Sequence, residues 1–588
     1  MLTLVPFAVS LLIVQASSVL ATGNHRQPGL LVNAPRYEVT SLNIACRAVY
    51  PNRPGQFSPD GRFFAFGASE GMQGADLNGD GDAVDGSVVH LWDATNASLV
   101  NTAVAGFVPN HLPLWSPAPV ASNGYFVFKS GEQAQSIDWN GDGLIQNQDV
   151  TLNVSLGTGL IQNSGIISSP ITQQGDLGLF TGYEADAGID VNGDGDRLDS
   201  FCGVFDGATG TSTLMRLVDR VYAVSETHYV ARWVDHNVPN SWGLLAGRLD
   251  QFPVAIPLPP EFENFLTVGG RLVGDTWYSV AQESIGGDLN GDGDTEDSVL
   301  MGIQLDTGVL WNSGFALNHN HGPFTDDFML APVHWGDQLA FAASEISGGQ
   351  DLNGDGDQTD LVAHVLDGNT HAVTNLGVAL YTSSLISQAG PGCLGAVEGV
   401  FAFMASETRQ AADLDGNGVL DPATVYLYDL QSGASWFPGW HPEYLAPNPD
   451  PAMARDVQAS ADWVAYAGWG ETQIQYLNRA TGQTGMARIQ SEALSDAFTL
   501  DGDLLIGPTS EAMDGVDWNQ DGDTSDYLLA IEDLSDQHIE RHSLGSSFWV
   551  PCRSRNGVLL AVPQELTQDL NGDGDMADTV LHSILRKP

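Results

Sequence analysis

A single ten-residue pattern, Asp-apolar-Asn-Gly-Asp-Gly-Asp-x-x-Asp, recurs eight times along the 588-residue chain and limits what that chain can become. The copies begin at Asp76, Asp138, Asp190, Asp288, Asp351, Asp413, Asp517 and Asp569. Recurrence of this kind marks a repeat architecture, in which each unit is one small assembly of secondary structure that needs its neighbours. In the first copy the polar positions are Asp76, Asn78, Asp80, Asp82 and Asp85. The same places hold Asp190, Asn192, Asp194, Asp196 and Asp199 in the third copy, and Asp288, Asn290, Asp292, Asp294 and Asp297 in the fourth. They hold Asp351, Asn353, Asp355, Asp357 and Asp360 in the fifth, and Asp517, Asn519, Asp521, Asp523 and Asp526 in the seventh. The last copy has Asp569, Asn571, Asp573, Asp575 and Asp578. Two copies vary. That at Asp138 keeps Asn140 and Asp142, lacks the seventh-position acid and has Asp149 further on. That at Asp413 reads DLDGNGVLD, with Asp415, Asn417 and Asp421.

The flanks repeat too. Upstream lie strand-like runs such as FFAFGASE, LAFAASE and VFAFMASE; downstream come runs such as SVLMGIQLDTG and TVYLYDLQSG. Alternating apolar residues cut by Asp, Gly and Asn predict antiparallel hairpins, and helical periodicity is nearly absent. Successive loops start 52 to 63 residues apart, except for gaps of 98 and 104. Each long gap holds a unit that kept its strands and lost its loop, around Tyr222–His236 and Asp462–Gly482. Units of roughly 50 residues match a four-stranded propeller blade, whose strands are covered on both faces. The expected fold is all-β: a β-propeller of about ten four-stranded units, or two smaller propellers, with loops joining hairpin strands. The last unit is one strand short, and Arg36–Cys46 at the other terminus is the expected replacement. That closure would bring Cys46 near Cys552.

The first unit contains FSPDGRFFAF (Phe57–Phe66), which resembles the SPDG-plus-strand signature of TolB-type propeller repeats. The loops resemble the DxNxDGxxD calcium loops of FG-GAP (integrin-type) propellers, most being one residue longer here. Both resemblances imply a β-propeller, and the second implies calcium.

The chemistry of the loop points the same way. Calcium is a hard cation that takes about six to eight oxygen ligands in flexible geometry. Carboxylates at positions one, three and five of a tight loop converge on one ion, and a glycine at position six permits the turn. Gly81, Gly143, Gly195, Gly293, Gly356, Gly418, Gly522 and Gly574 hold that place. Clustered carboxylates repel one another unless a cation intervenes. A glutamate precedes every loop: Glu70, Glu132, Glu184, Glu283, Glu345, Glu407, Glu511 and Glu565. These glutamates are expected to complete the coordination sphere, with up to eight Ca2+ bound. The EF-hand is excluded, since the position-twelve Glu is missing and the strand pattern leaves no flanking helices.

Acidic residues number 73 against 21 basic, a formal net charge of −52. Such a surface excludes nucleic acid as a partner and disfavours anionic membranes. Eight divalent ions carry +16 and would bring −52 to −36. The first 21 residues, with an apolar run from Leu2 to Val14, read as a signal peptide; residues 22–55 form an N-terminal arm and 56–588 the repeats. The expected mature protein is secreted or at the cell surface, with no integral membrane span. Four cysteines, Cys46, Cys202, Cys393 and Cys552, permit three pairings.

Histidines cluster weakly, at His319 and His321 and singly at His111 and His441, all between units. No HExxH or sialidase-type SxDxGxxW pattern accompanies them, and the one GxSxG match, GASEG at Gly67–Gly71, belongs to the repeated run that ends in Glu. A pattern repeated equally along the chain suits stabilisation, whereas a catalytic site should break the repetition. The expected function is a calcium-stabilised propeller binding protein or glycan. The alternatives are a secreted propeller enzyme acting on polysaccharide and a calcium-dependent matrix or surface-layer component.

Overall fold

Runs such as Phe63–Ala68 and Val88–Asp93 are buried along nearly their whole length. A strand with two apolar faces needs cover on both sides. Here they are the second and third strands of an antiparallel sheet, paired from Phe63 with Asp93 to Ala68 with Val88. The computed structural model describes residues 13–14, 36–46 and 55–586, apart from 107–119, 258–269, 318–332, 382–392, 442–456, 562–568 and shorter breaks in other connections.

Ten sheets are built among these residues. Numbered along the chain, sheet 1 runs from Gly55 to Ala105, sheet 2 from Tyr125 to Ile167, sheet 3 from Ser169 to Met215 and sheet 4 from Val218 to Pro257. Sheet 5 runs from Arg271 to Leu317, sheet 6 from Val333 to Ala379 and sheet 7 from Cys393 to Trp436. Sheet 8 spans Val457–Gln490, sheet 9 spans Thr499–Ser546 and sheet 10 begins at Cys552. Most are four-stranded meanders. Sheet 2 has three strands, sheet 3 gains Val120–Ala121 in parallel, and Ile13–Val14 pairs along the edge of sheet 1. Among the described residues, no helix is long and apolar enough to cross a membrane.

The sheets pack face to face. Phe63, Leu91, Phe126 and Leu152 join sheet 1 to sheet 2, and Leu300, Leu317, Leu339 and Phe341 join sheet 5 to sheet 6. A comparable cluster lies at each remaining junction between consecutive sheets. From sheet 6 onward the first strands of neighbouring sheets lie side by side, leaving the later strands outside. Radial meanders with their first strands innermost form a β-propeller.

Sheet 10 takes its outer strand from the other end of the chain. Tyr37–Ala45 pairs antiparallel with Val580–Arg586, from Tyr37 opposite Arg586 to Ala45 opposite Val580. Leu42, Ile44 and Leu581 then pack on Phe57, Phe66 and Trp92 of sheet 1. The expected approach of Cys46 to Cys552 does not occur. In sheet 10 the strand order is Tyr37–Ala45, Val580–Arg586, Val558–Ala561, Cys552–Arg555, so the two cysteines belong to opposite edges. Three strand spacings make ~14 Å, against a Cα separation of at most ~7 Å in a disulfide. Cys46 is instead a buried free thiol among Phe57, Phe64 and Trp92, its pKa pushed up to about 12 by burial.

Three third strands carry a buried histidine at equivalent places: His90, His364 and His582. Each Nδ1 lies against the carbonyl two residues back, and burial pulls each pKa down to about 4. His364 Nε2 has no partner and the ring stacks on Phe341. A depressed histidine contributes no penalty above the unfolded value of 6.5; stability is lost as pH falls from there towards 4. His364→Phe is therefore expected to match the parent at pH 7.5 and to exceed it by about 3 kcal/mol at pH 4 with calcium saturating. Denaturant unfolding at both pH values checks this, and an equal offset at both would refute it.

Candidate metal centres

Seven of the eight loops are entered, among the described residues, through a single turn of helix that the strand pattern hides. The turns are Glu70–Gln73, Glu132–Gln135, Glu184–Ala187, Glu283–Gly286, Glu345–Gly348, Glu407–Gln410 and Glu511–Asp514. Ser69, Ser344, Ser406 and Ser510 cap four of them, accepting an amide from the turn. Gly74, Gly349 and Gly515 end three of the same turns, and Gly188 ends another, with φ of 61–68°, a conformation only glycine enters freely. The glutamates thus open a helical turn rather than end a strand. Glu565 lies outside the described residues.

Every one of these seven glutamates is at most 1% exposed. Burying a carboxylate is costly unless donors surround it. The donors are the loop's own amides. Glu345 Oε1 accepts from Leu352 (2.5 Å) and Asn353 (3.2 Å), and Oε2 accepts from Asp360 (3.0 Å). Glu70, Glu283 and Glu407 hold the corresponding three amides of their loops. The backbone completes the clamp: Glu345 N donates to Asp360 O, as Glu70 N does to Asp85 O. In Glu184 and Glu511, Oε1 accepts two amides while Oε2 is buried with no hydrogen-bond partner.

The first aspartate shapes the loop as well. Asp76 accepts from Gly79 N (2.6 Å) and Gly81 N (3.0 Å), and the same pair of bonds recurs in the other seven copies. Gly81 has φ of 104°, so its position in the turn requires glycine. Later side chains point inward. Asn78, Asn290, Asn353, Asn519 and Asn571 donate to the tenth-position aspartates Asp85, Asp297, Asp360, Asp526 and Asp578.

Loops that gather carboxylate oxygens lying within 4.8 Å of one another include Glu283 with Asp292, Asp294 and Asp297; Glu184 with Asp196 and Asp199; Glu345 with Asp357 and Asp360; and Glu407 with Asp413 and Asp415. Burial, reinforced by neighbouring acids, pushes Asp85, Asp297 and Asp360 up to about 6 and Asp578 to about 7. The second loop is looser: Asp149 opens a strand and pairs with Lys129 Nζ at 2.5 Å. His111, His319 and His321 lie outside the described residues; His441 lies against the sixth loop.

Two contributors escape a reading of the loop pattern. Asparagines on the last strand of their sheets, Asn101, Asn163, Asn312 and Asn375, donate to the loop's second carbonyl, at Leu77, Trp139, Leu289 and Leu352, over 2.6–2.7 Å. Their signal is a short Asn-x-Gly/Ala motif whose third residue has positive φ, at Ala103, Gly165, Gly314 and Gly377. Glutamines ending the helical turns reach back to the preceding outer strand: Gln73 to Ala45 N, Gln135 to Ala105 N and Gln410 to Ala379 N. Loops also touch forward, Asn78 donating to Ala134 O and Asn571 of sheet 10 to Met72 O of sheet 1.

Sheets 4 and 8 have no such loop, and ion pairs hold them to their neighbours. Asp306 of sheet 5 meets His228 (3.0 Å) and Arg248 (3.2 Å) of sheet 4. Arg479 of sheet 8 meets Asp429 of sheet 7 at 2.6 Å, both nearly buried, and Arg488 meets Glu532 of sheet 9 at 3.0 Å.

No protein-family model matches the chain, and no curated protein does. Solved structures do align. The β-propeller domain of the trilobed protease from Pyrococcus furiosus is 7% identical, over 63% of this chain and 95% of that one, with a TM-score of 0.27. TolB from Acinetobacter baumannii is 11% identical, over 63% and 80%, with a TM-score of 0.19. An oligogalacturonate lyase in complex with manganese is 10% identical, over 93% of each chain, with a TM-score of 0.28. Similarity at this level carries no argument about activity, and the fold rests on the strand pairing described above.

Two outcomes follow from the clamp. Glu345→Ala leaves the amides of Leu352, Asn353 and Asp360 without their acceptor. It is expected to cost about 3 kcal/mol and to lower the melting temperature in calcium; an unchanged melt would refute the clamp. The raised aspartates work in the opposite sense to the histidines. Their folded pKa exceeds the unfolded one, so without metal their contribution is full below pH 4 and is lost as pH rises through 6 to 7. A bound cation removes that loss. The melting increment brought by calcium over EDTA should therefore grow from pH 5 to pH 7.5, and a flat or falling increment would count against it.

Proposed function

We propose that this chain is an exported calcium-binding β-propeller, a single ring of ten blades whose ions are structural and which presents a binding face to a protein or glycan. The observation that carries the metal reading is the pair of buried, partnerless oxygens, Glu184 Oε2 and Glu511 Oε2. For Glu184, the neighbouring oxygens belong to Asp196 and Asp199. A bare carboxylate oxygen buried beside other carboxylates is unfavourable without a cation. The oxygen-only donor set of aspartate, asparagine and glutamate suits a hard ion of calcium's kind. Asn and Asp at positions three, five, seven and ten would hold it, with the preceding glutamate behind them. The ion supplies charge neutralisation, fixing each loop to the strands it joins.

The single ring is supported by the hydrophobic cluster between sheets 10 and 1 and by the bond from Asn571 to Met72. Export fits a calcium-dependent fold, because extracellular modules work with sites of about 10⁻⁴–10⁻³ M affinity. A binding role fits the even repetition of the loops, which singles out no blade for chemistry.

The test is a melt of the full chain in 5 mM calcium against EDTA, with metal analysis after equilibration at millimolar calcium. Up to eight ions per chain are expected, each adding about 1.4 kcal/mol when calcium is tenfold above its Kd. No retained calcium and identical melting temperatures would overturn the proposal.

A further inference from the structure

One loop departs from the others and brings a nitrogen with it. The sixth copy has lost the seventh-position acid, Val419 standing there, and has Asp415 and Asn417 where the others carry Asn and Asp. Beside it lies His441, from the connection after the last strand of sheet 7. Its Nε2 is 2.8 Å from Asp415 Oδ2, and its Nδ1 is 3.4 Å from Asp421 Oδ2. Donor atoms of Asp415, Asp421 and His441 all lie within 4.8 Å of one another.

The histidine is placed by its neighbours. Trp440 is 1% exposed, stacks on Tyr466 with ring centres 5.4 Å apart, and its carbonyl accepts from Val425 N at 2.9 Å. Gly439 has φ of 73°, and a Cβ there would stand 3.8 Å from Asp415 Oδ2. The anchored indole and the left-handed glycine fix the next residue over the loop. Nδ1 of His441 is screened from solvent and makes no hydrogen bond.

We propose that Asp421 and Nδ1 of His441, the ring held through its other nitrogen by Asp415, form a site for a borderline divalent ion of the zinc class, distinct from the calcium expected in the other loops. Imidazole nitrogen suits zinc, copper, nickel and iron, whereas calcium takes oxygen. The 3.4 Å between Nδ1 and the Asp421 oxygen equals the edge of a tetrahedron with bonds of ~2.1 Å, the usual Zn–N and Zn–O length. Asp415 accepts from Nε2 and orients the ring, so Nδ1 and Asp421 bind the ion and leave its remaining positions to water or a ligand atom. Zinc there would tie the connection after sheet 7 to the loop within that sheet.

This inference rests on the reading that the loops hold cations, and its test separates the two. The full chain is titrated with Zn2+ by calorimetry in 5 mM calcium, and bound zinc and calcium are counted after gel filtration. One zinc per chain is expected, undisplaced by calcium. His441→Ala should weaken zinc binding by a factor of ~10² while leaving calcium stoichiometry and the melting temperature in calcium without zinc unchanged. His441→Gln, which keeps the bulk and a polar tip, should lose zinc equally. Replacing zinc with Co2+ should give a visible spectrum with a nitrogen ligand that both variants lack. Zinc retained undiminished in either variant, or zinc released by calcium, overturns the site. Absence of calcium with zinc still bound would instead overturn the calcium reading and leave this one standing.

Discussion

The buried glutamate at the mouth of each loop is the interaction on which the rest depends. A carboxylate removed from water needs several donors, and only the loop's own amides are within reach. Satisfying Glu345 therefore forces Leu352, Asn353 and Asp360 to turn their N–H groups to one point. With the backbone so gathered, the Asn and Asp side chains have little choice but to face each other. The charge cluster is thus a consequence of the clamp, and it is this cluster that the proposed cation would neutralise.

Much of this was legible in the sequence, for physical reasons. The two-sided apolar strands, the loop spacing and the two loopless units announce hairpin repeats, because burial on both faces needs neighbours on both sides. Even the strand borrowed from Arg36–Cys46 shows, since a unit one strand short leaves an unpaired edge. What escaped was set by side chains rather than by pattern. The helical turns at Glu70 and its counterparts are four residues long, too short for periodicity to register. The strand-four asparagines act on carbonyls about 23 residues earlier in sequence, which no local rule exposes. The cysteine pairing failed because strand count alone does not say which edge of sheet 10 the borrowed strand joins.

Loops and ion pairs divide one task. Where a blade has its acidic loop, contacts such as Gln73 to Ala45 and Asn78 to Ala134 link neighbours through neutral hydrogen bonds. Where the loop is missing, Arg248, Arg479 and Arg488 take up the junction. Arg479 is the most confined of the three, bound to Asp429 and to two backbone carbonyls. Loop-bearing sheets use ion pairs as well, Arg36 meeting Asp533 and Asp536 of sheet 9 and Arg409 meeting Asp360 of sheet 6, so the loopless sheets differ in having ion pairs without the loop contacts.

The borrowed strand also dictates a timetable. Tyr37–Ala45 is among the first segments of the described chain to be made, yet its partner Val580–Arg586 is among the last. Each hairpin and its loop closes over tens of residues, whereas this pairing closes over more than five hundred, so local hairpins form early and the borrowed strand waits. Until the end arrives, Tyr37–Ala45 has no partner strand and the first blade lacks the cover of Leu42 and Ile44. Two open β-surfaces then coexist on one nascent chain, and both are silenced in the same step.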